Sequence, residues 1–364
     1  MGLVAVASPA AAQGPTVNPA WLSFPGALRH PSSAVSAALA LDDRWLGDAP
    51  FDNPAVARGR QLAVSPAIVR VSRQDLRANN RSVVETAAFL DFAGAWATYA
   101  VGPLGLLAYV DQPVLRLEAS AFNEGRASPD PLSPPPANVT LDLATRELRA
   151  GAGASLGTGA WRVGFAGEWT SRTDRNEVTV ASGAPTGNGT ALSDLSGHGF
   201  GGQVGARVSL PLRQPDGLVI GAGARWTPEL PIDGDTLAIT RAAGWEAGLS
   251  ARARVSEGVA LLAAVGGSGA MEWKGLGVET GSSSLWGLAF EYHDAEEPWT
   301  ARFGFGQERQ HDVPESRAGR FGLGFGWNFG GSTLDVGAMR RNLERKGQPD
   351  SYDDRVIATL SMRF

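Results

Sequence analysis

The sequence predicts an all-β protein, a transmembrane antiparallel β-barrel of about 14 strands with an N-terminal plug segment. Three observations carry that expectation. Apolar and polar residues alternate in one stretch after another, the period that puts successive side chains on opposite faces of a sheet. The stretches run to about 10–15 residues, where strands of water-soluble sheets usually have about 5–6. Tryptophans recur near the ends of the apolar faces, where a membrane barrel carries its aromatic girdles.

Composition agrees. The chain has 364 residues, 47 glycines, 11 tryptophans and no cysteine, and arginine carries nearly all of the positive charge. A disulfide scaffold or a cysteine zinc site is excluded. The net charge of −5 argues against nucleic acid as a partner, because such proteins present a basic surface. No run approaches the 18 or more apolar residues of a membrane helix. A barrel strand needs no such run, since only every second residue faces lipid.

Taken in order, residues 1–12 are small and apolar, and Ala10-Ala11-Ala12 before Gln13 fits an export cleavage site. They are expected to be the remnant of a signal peptide, with a disordered Ala-rich terminus as the alternative. Residues 13–59 are rich in proline and small residues and lack long alternation. Ser32–Leu41 fits a short helix capped by Ser32 or Ser33, with Val35, Ala38 and Leu39 on one face. This stretch is expected to sit in the lumen as a plug, and a periplasmic tail is the alternative.

Residues 60–364 form the expected barrel. Turn signals place its strands near 60–73, 85–99, 104–122, 138–155, 159–175, 196–212, 216–227, 240–256, 257–273, 279–293, 297–309, 315–329, 331–345 and 351–364. In 320–329, Phe321, Leu323, Phe325, Trp327 and Phe329 share one face against Gly322, Gly324, Gly326 and Asn328. Trp161 and Trp169 lie on one face, and eight tilted residues separate them by roughly 20 Å, close to the height of an apolar membrane band. Short turns such as 157–159, 214–217, 256–258 and 330–331 alternate with longer loops expected at 123–137, 176–195 and 228–239. An even strand number puts Phe364 at the periplasmic end, where a terminal aromatic serves as the barrel-assembly signal. The last strand turns Val356, Ala358, Leu360, Met362 and Phe364 outward and has to pair with the first to close the ring.

The stretch 37–57, AALALDDRWLGDAPFDNPAVA, resembles the hatch of the FadL-type outer-membrane transporters and the related PorV-like barrels, through Ala40, Asp42, Asp43, Asn53, Pro54 and Ala55. The strands around Arg302–Gly306, Arg320–Gly324, Leu334–Gly337 and Met362–Phe364 resemble that family as well. The hatch's paired glycines are replaced by Ser36-Ala37-Ala38, and Val56 stands where a glycine is usual. The resemblance implies 14 strands, an outer-membrane location and passive uptake of a small hydrophobic compound, fatty-acid-like or aromatic. Asp42, Asp43, Asn53, Pro54 and Ala55 would then form the gating plug. Partners implied are a hydrophobic small molecule, lipid or detergent and the outer-membrane lipid. A PorV-like role, holding a protein partner at the loops or rim, is the alternative.

No cofactor, metal or catalysis is expected. Gly153–Gly157 spells G-x-S-x-G, but a strand follows where a nucleophile elbow needs a helix. Gly197–Gly202 spells G-x-G-x-x-G inside an alternating strand rather than a βαβ unit. The four histidines have no convincing metal-ligand spacing. Arg162, Arg207, Arg225, Arg252, Arg254, Arg302 and Arg363, with Glu246 and Glu291, are expected to line the lumen. They either select anionic groups or form a solvated wall in which arginines pair with Glu168, Glu246 or Glu291.

Overall fold

The computed structural model describes residues 33–41, 49–51, 53–57, 59–78, 81–123, 137–182, 189–212, 217–233, 238–274, 278–294, 296–311, 316–345 and 351–364. The proposed signal remnant, Asp42, Asp43 and His30 fall outside them.

Eighteen strand segments form one sheet. Four strands are each built from two segments, so the sheet has fourteen strands. They are β1 (Gln61–Ala78), β2 (Arg81–Val101), β3 (Leu104–Asn123), β4 (Ala137–Gly157), β5 (Trp161–Ser182) and β6 (Gly189–Leu210). Next come β7 (Leu218–Thr227 with Leu230–Asp233), β8 (Ala238–Arg241 with Gly244–Arg254), β9 (Val259–Ser268 with Met271–Lys274) and β10 (Val278–Thr280 with Ser283–His293). The last are β11 (Trp299–Gln310), β12 (Ser316–Asn328), β13 (Ser332–Arg345) and β14 (Ser351–Arg363). Each pairs antiparallel with its neighbour in sequence, and β1 pairs with β14 from Gln61 opposite Arg363 to Arg73 opposite Ser351. The β1–β14 seam closes the ring, so neither the first nor the last strand is left as a free sheet edge.

Alternation decides which face is which. Leu62, Val64, Phe165, Val204, Leu288, Phe303, Phe321, Leu323, Val336 and Leu360 are exposed on the outside. A belt of this kind is stable only against lipid. Trp161, Trp299 and Trp327 stand at the end with short turns, and Trp226, Trp245 and Trp286 stand toward the other end. Val356, Leu360, Met362 and Phe364 are exposed as expected, while Arg355, Ile357, Thr359 and Ser361 are buried on the inner face.

Two stretches expected to be loops are largely strand. Residues 176–182 and 189–195 extend the β5–β6 hairpin, and Leu230–Asp233 and Ala238–Ala243 belong to β7 and β8 or border them. Polar composition marked these as loops, but two strands paired beyond the membrane keep bonding backbone to backbone whatever their side chains. The interruptions at 228–229, 242–243, 269–270 and 281–282 lie beside one another, because Thr227 pairs with Gly244, Glu246 with Ser268, and Ser268 with Ser283. Four neighbouring strands therefore break at one height. Above that line Leu230, Ile232 and Ile239 pack with Leu195 as a buried apolar cluster.

Short turns fill the other end. In the 102–103 turn Gly102 has φ +58° and in the 329–331 turn Gly330 has φ +79°, left-handed values that a side chain would strain. Asp294 accepts from the backbone N–H of Glu296 and Glu297, both at 2.9 Å, and these bonds hold its carboxyl below the usual carboxylate range.

Candidate functional site

Two pieces of the chain before β1 lie against the inner wall. The first is helix α1 (Ala34–Leu39). Ser33 caps it, accepting from Ser36 N at 3.2 Å, as the sequence indicated. Ala34 N donates to Thr359 Oγ1 of β14 at 2.9 Å. The helix ends at Ala40 in the left-handed conformation, φ 48°. The wall beneath it is made of glycine. A Cβ on Gly304 would strike the Leu39 carbonyl, one on Gly337 the Ala34 carbonyl, and one on Gly322 the Ala37 carbonyl. Of the small residues that replace the expected paired glycines, Ala37 and Ala38 thus meet glycines on the facing strands, while Ser36 bonds to the cap Ser33. Leu39 and Leu41 pack on Leu262, Ala264 and Ala289.

The second piece is a 3-10 turn, Pro54–Val56. Asn53 caps it, accepting from Ala55 N at 2.9 Å and donating to Ala206 O of β6 at 3.3 Å. Gly164 and Gly205 leave the space that Pro54 and Asn53 fill. The Ala57 carbonyl accepts from Ser155 Oγ at 2.9 Å and Arg162 Nη1 at 3.2 Å. The serine of the G-x-S-x-G string is therefore a tether.

Just before this turn, the Phe51 ring meets Trp96 and Tyr109 edge-on, with centroids 5.2 and 5.6 Å apart. These aromatics, Ala57, Ala63, Leu107 and Ala166 form one buried cluster. Gln203 Nε2 donates to Pro50 O at 3.1 Å and to Tyr109 Oη at 2.6 Å. Arg225 donates to the Phe51 carbonyl, to Glu168 Oε2 at 2.9 Å and to Gln203 Oε1 at 3.3 Å, and its Nη1 lies 3.5 Å from Glu246.

Charges elsewhere on the inner wall are balanced in the same way. Arg302 donates to Glu291 at 2.9 Å and to Asp335 at 2.6 Å, and Arg252 donates to the other oxygen of Glu291. Glu147 accepts from Arg241 at 2.7 Å, and Arg320 binds Glu308 at 2.6 Å. Asp111 holds Arg149 through both carboxylate oxygens. Such pairs satisfy charges that would otherwise be buried at high cost.

The wall itself is uneven. β2 and β3 pair from Val101 opposite Leu104 to Gly94 opposite Asp111, and among the described residues their pairing ends there. Each continues beyond that rung on its other side, β2 with β1 and β3 with β4. Bulges sit where they part: Ala93 is the extra residue opposite Ser65 and Pro66, and β3 shifts register twice between Asp111 and Leu117. Bulges bend strands and end pairing, and Pro113 has no N–H to give. At the short-turn end, a cavity of about 180 Å³ is lined by Ser33, Gln61, Trp96, His293, Thr300 and Asp335 among others.

A closed ring of fourteen strands is matched by known structures. No family model matches the sequence, and no curated protein matches it. Among solved structures, a TodX monoaromatic hydrocarbon channel variant superposes at TM-score 0.62 with 15% identity, over 91% of this chain and 99% of that one. A FadL homologue of Pseudomonas aeruginosa gives 0.58 at 11%, covering 92% and 98%. The Ralstonia pickettii toluene transporter TbuX gives 0.55 at 16%, covering 91% and 98%.

The chain has the FadL-type barrel fold.

Within this FadL-type barrel the sequence-predicted residues fall in distinct places. Asn53, Pro54 and Ala55 sit together on β4–β6, whereas Asp42 and Asp43 lie outside the described residues. Arg162, Arg225, Arg252, Arg302, Glu246 and Glu291 face inward. Arg207 is half-buried on the rung of Arg162. Arg254 is exposed beside the 255–258 turn, and Arg363 borders the cavity. Phe364 is exposed, with its N–H 3.3 Å from Arg60 O. His293 lies at the cavity with Nδ1 3.1 Å from Thr300 Oγ1. His311 is 3.4 Å from Ser284, long for a working hydrogen bond. Sequence reasoning missed Phe51, Trp96, Tyr109 and Gln203. The signal for Trp96 was its parity: Ala97, Tyr99 and Val101 make the outer face of β2, so Trp96 had to point inward with Thr98.

Proposed function

We propose that this chain is an outer-membrane channel for passive uptake of small hydrophobic compounds, closed by its N-terminal segment at residues 33–57. The lipid-facing belt supports a membrane location, and the named channels that share the fold support the cargo class. The observation that carries the reading is the parting of β2 and β3 beside the cluster of Phe51, Trp96 and Tyr109. An apolar molecule that reaches the lumen there meets apolar side chains inside and a gap in the hydrogen-bonded wall beside them. No covalent chemistry is required.

The test is uptake of labelled toluene and labelled oleate by intact Gram-negative cells, with and without the chain in the outer membrane. Faster entry of at least one compound is expected. Equal rates for both would sink the reading. Deletion of residues 33–57 is expected to raise single-channel conductance in planar bilayers, and an unchanged conductance would remove the segment's gating role.

A further inference from the structure

We infer that Phe51 occupies, from within the chain, a slot built for a single-ring aromatic ligand bearing a hydrogen-bond acceptor, and that such a ligand opens the channel by displacing it. The inference rests on the channel reading above and adds the ligand's chemistry and the residue it competes with.

Trp96 and Tyr109 are direct cross-strand partners on β2 and β3, two rungs below the last pair, Gly94 and Asp111. Both rings face inward and present their sides to the Phe51 ring at 80° and 88°. Edge-to-face packing of this kind is what an incoming aromatic ring would reproduce. Phe51 is the one ring in the cluster that the wall does not supply.

Two features mark the slot as a binding site. Trp96 is 4% exposed, and its indole N–H is buried with no hydrogen-bond partner among the described residues. A buried donor left unmet is costly and rare; a ligand oxygen or nitrogen would meet it. Trp96 also borders the cavity of about 180 Å³, together with Ala49. Benzene occupies an engineered protein cavity of roughly 150 Å³, so space on the scale of one ring lies next to the slot.

The coupling to opening follows from what holds Phe51. Gln203 binds the Pro50 carbonyl, Arg225 binds the Phe51 carbonyl, and Asn53 begins the turn that seats on β6. Moving the ring out pulls on these tethers. While Phe51 fills the slot, the apparent affinity for ligand is lowered by the fraction of time that the slot is vacant.

Binding of acetophenone and of ethylbenzene, two probes of similar shape with and without an acceptor, is measured by equilibrium dialysis on the full chain in one detergent. Phe51→Ala is expected to bind acetophenone about tenfold more tightly than the parent. Trp96→Phe in that background is expected to abolish the preference for acetophenone over ethylbenzene. If Phe51→Ala fails to fold, as judged by heat-modifiable gel mobility, Phe51→Leu is expected to show a smaller gain in the same direction. Unchanged acetophenone affinity in the folded variant overturns the inference, as does a preference that survives loss of the indole. Parent cells that import toluene while Phe51→Ala gains no affinity would leave the channel reading standing and this one overturned. Import of neither probe class by the parent would defeat both.

Discussion

Glycine at the inner face is where single residues decide most in this molecule. Gly304, Gly322 and Gly337 look in the sequence like the small, polar side of an alternating pattern. In the fold they are the seat of helix α1, because a methyl group on any of them would collide with a helix carbonyl. Gly304→Ala is therefore expected to unseat α1 at a cost of about 1–3 kcal/mol, the usual penalty for overpacking a close contact. The measurement is the rate of protease cleavage within residues 33–57 of detergent-purified protein. It should rise while heat-modifiable mobility of the barrel is kept, and an unaltered rate would contradict the seat. A serine cap at Ser32 or Ser33 was legible, since a cap's bonding partner lies three residues away, and Ser33 is the one that caps. The reason for Gly304 was not, because its partner is more than 260 residues distant in the chain and only the folded ring brings the two together.

Strands, their breaks and the ion pairs between them behave as units. Their number and order were readable because period two is a local signal, imposed on each strand by lipid on one side and a packed interior on the other. Their length beyond the membrane was not readable. There the sequence of 176–182 and 189–195 is mostly polar or small, and the backbone ladder continues the hairpin. Ion pairing was readable as residue types on one face but not as partners. Arg302 links β10, β11 and β13 through Glu291 and Asp335. Arg302→Gln is expected to take one cation from buried Asp335 and leave half-buried Glu291 with Arg252 alone, at a cost of about 1–3 kcal/mol, below the range for a fully buried pair. Denaturant unfolding in detergent, followed by tryptophan fluorescence, should show a lowered midpoint. A midpoint equal to the parent's would mean that the three strands do not depend on the pair.

Across the whole molecule, the inside-out distribution of side chains is the strongest constraint. Leu323 lies near the middle of β12, between Trp327 at one girdle and the far end of the strand, and is 51% exposed on the outer surface. Leu323→Arg places a charge against hydrocarbon and is expected to destabilise the inserted barrel by about 2–4 kcal/mol. Arginine is tolerated on the opposite face of the same strand, where Arg320 meets Glu308. Refolding into lipid vesicles across a denaturant series measures the difference, and an inserted yield equal to the parent's would refute the assigned face. The barrel class was legible from the sequence at this scale, while the parting of β2 from β3 was not. Ala93 is an ordinary strand residue, and Pro113 marks an interrupted ladder without saying on which side; a bulge shows only as a register mismatch with a partner.

Closure by β1 and β14 also imposes an order of events. The ring cannot exist until β14 pairs with a strand made some 290 residues earlier. Residues 33–41 and 53–57 precede that first strand and lie against the inner wall of the ring. They must therefore be inside before the seam is zipped or thread a mouth afterwards. Insertion and packing of the lumen are thus a single assembly problem, in which a segment made before β1 waits for β14.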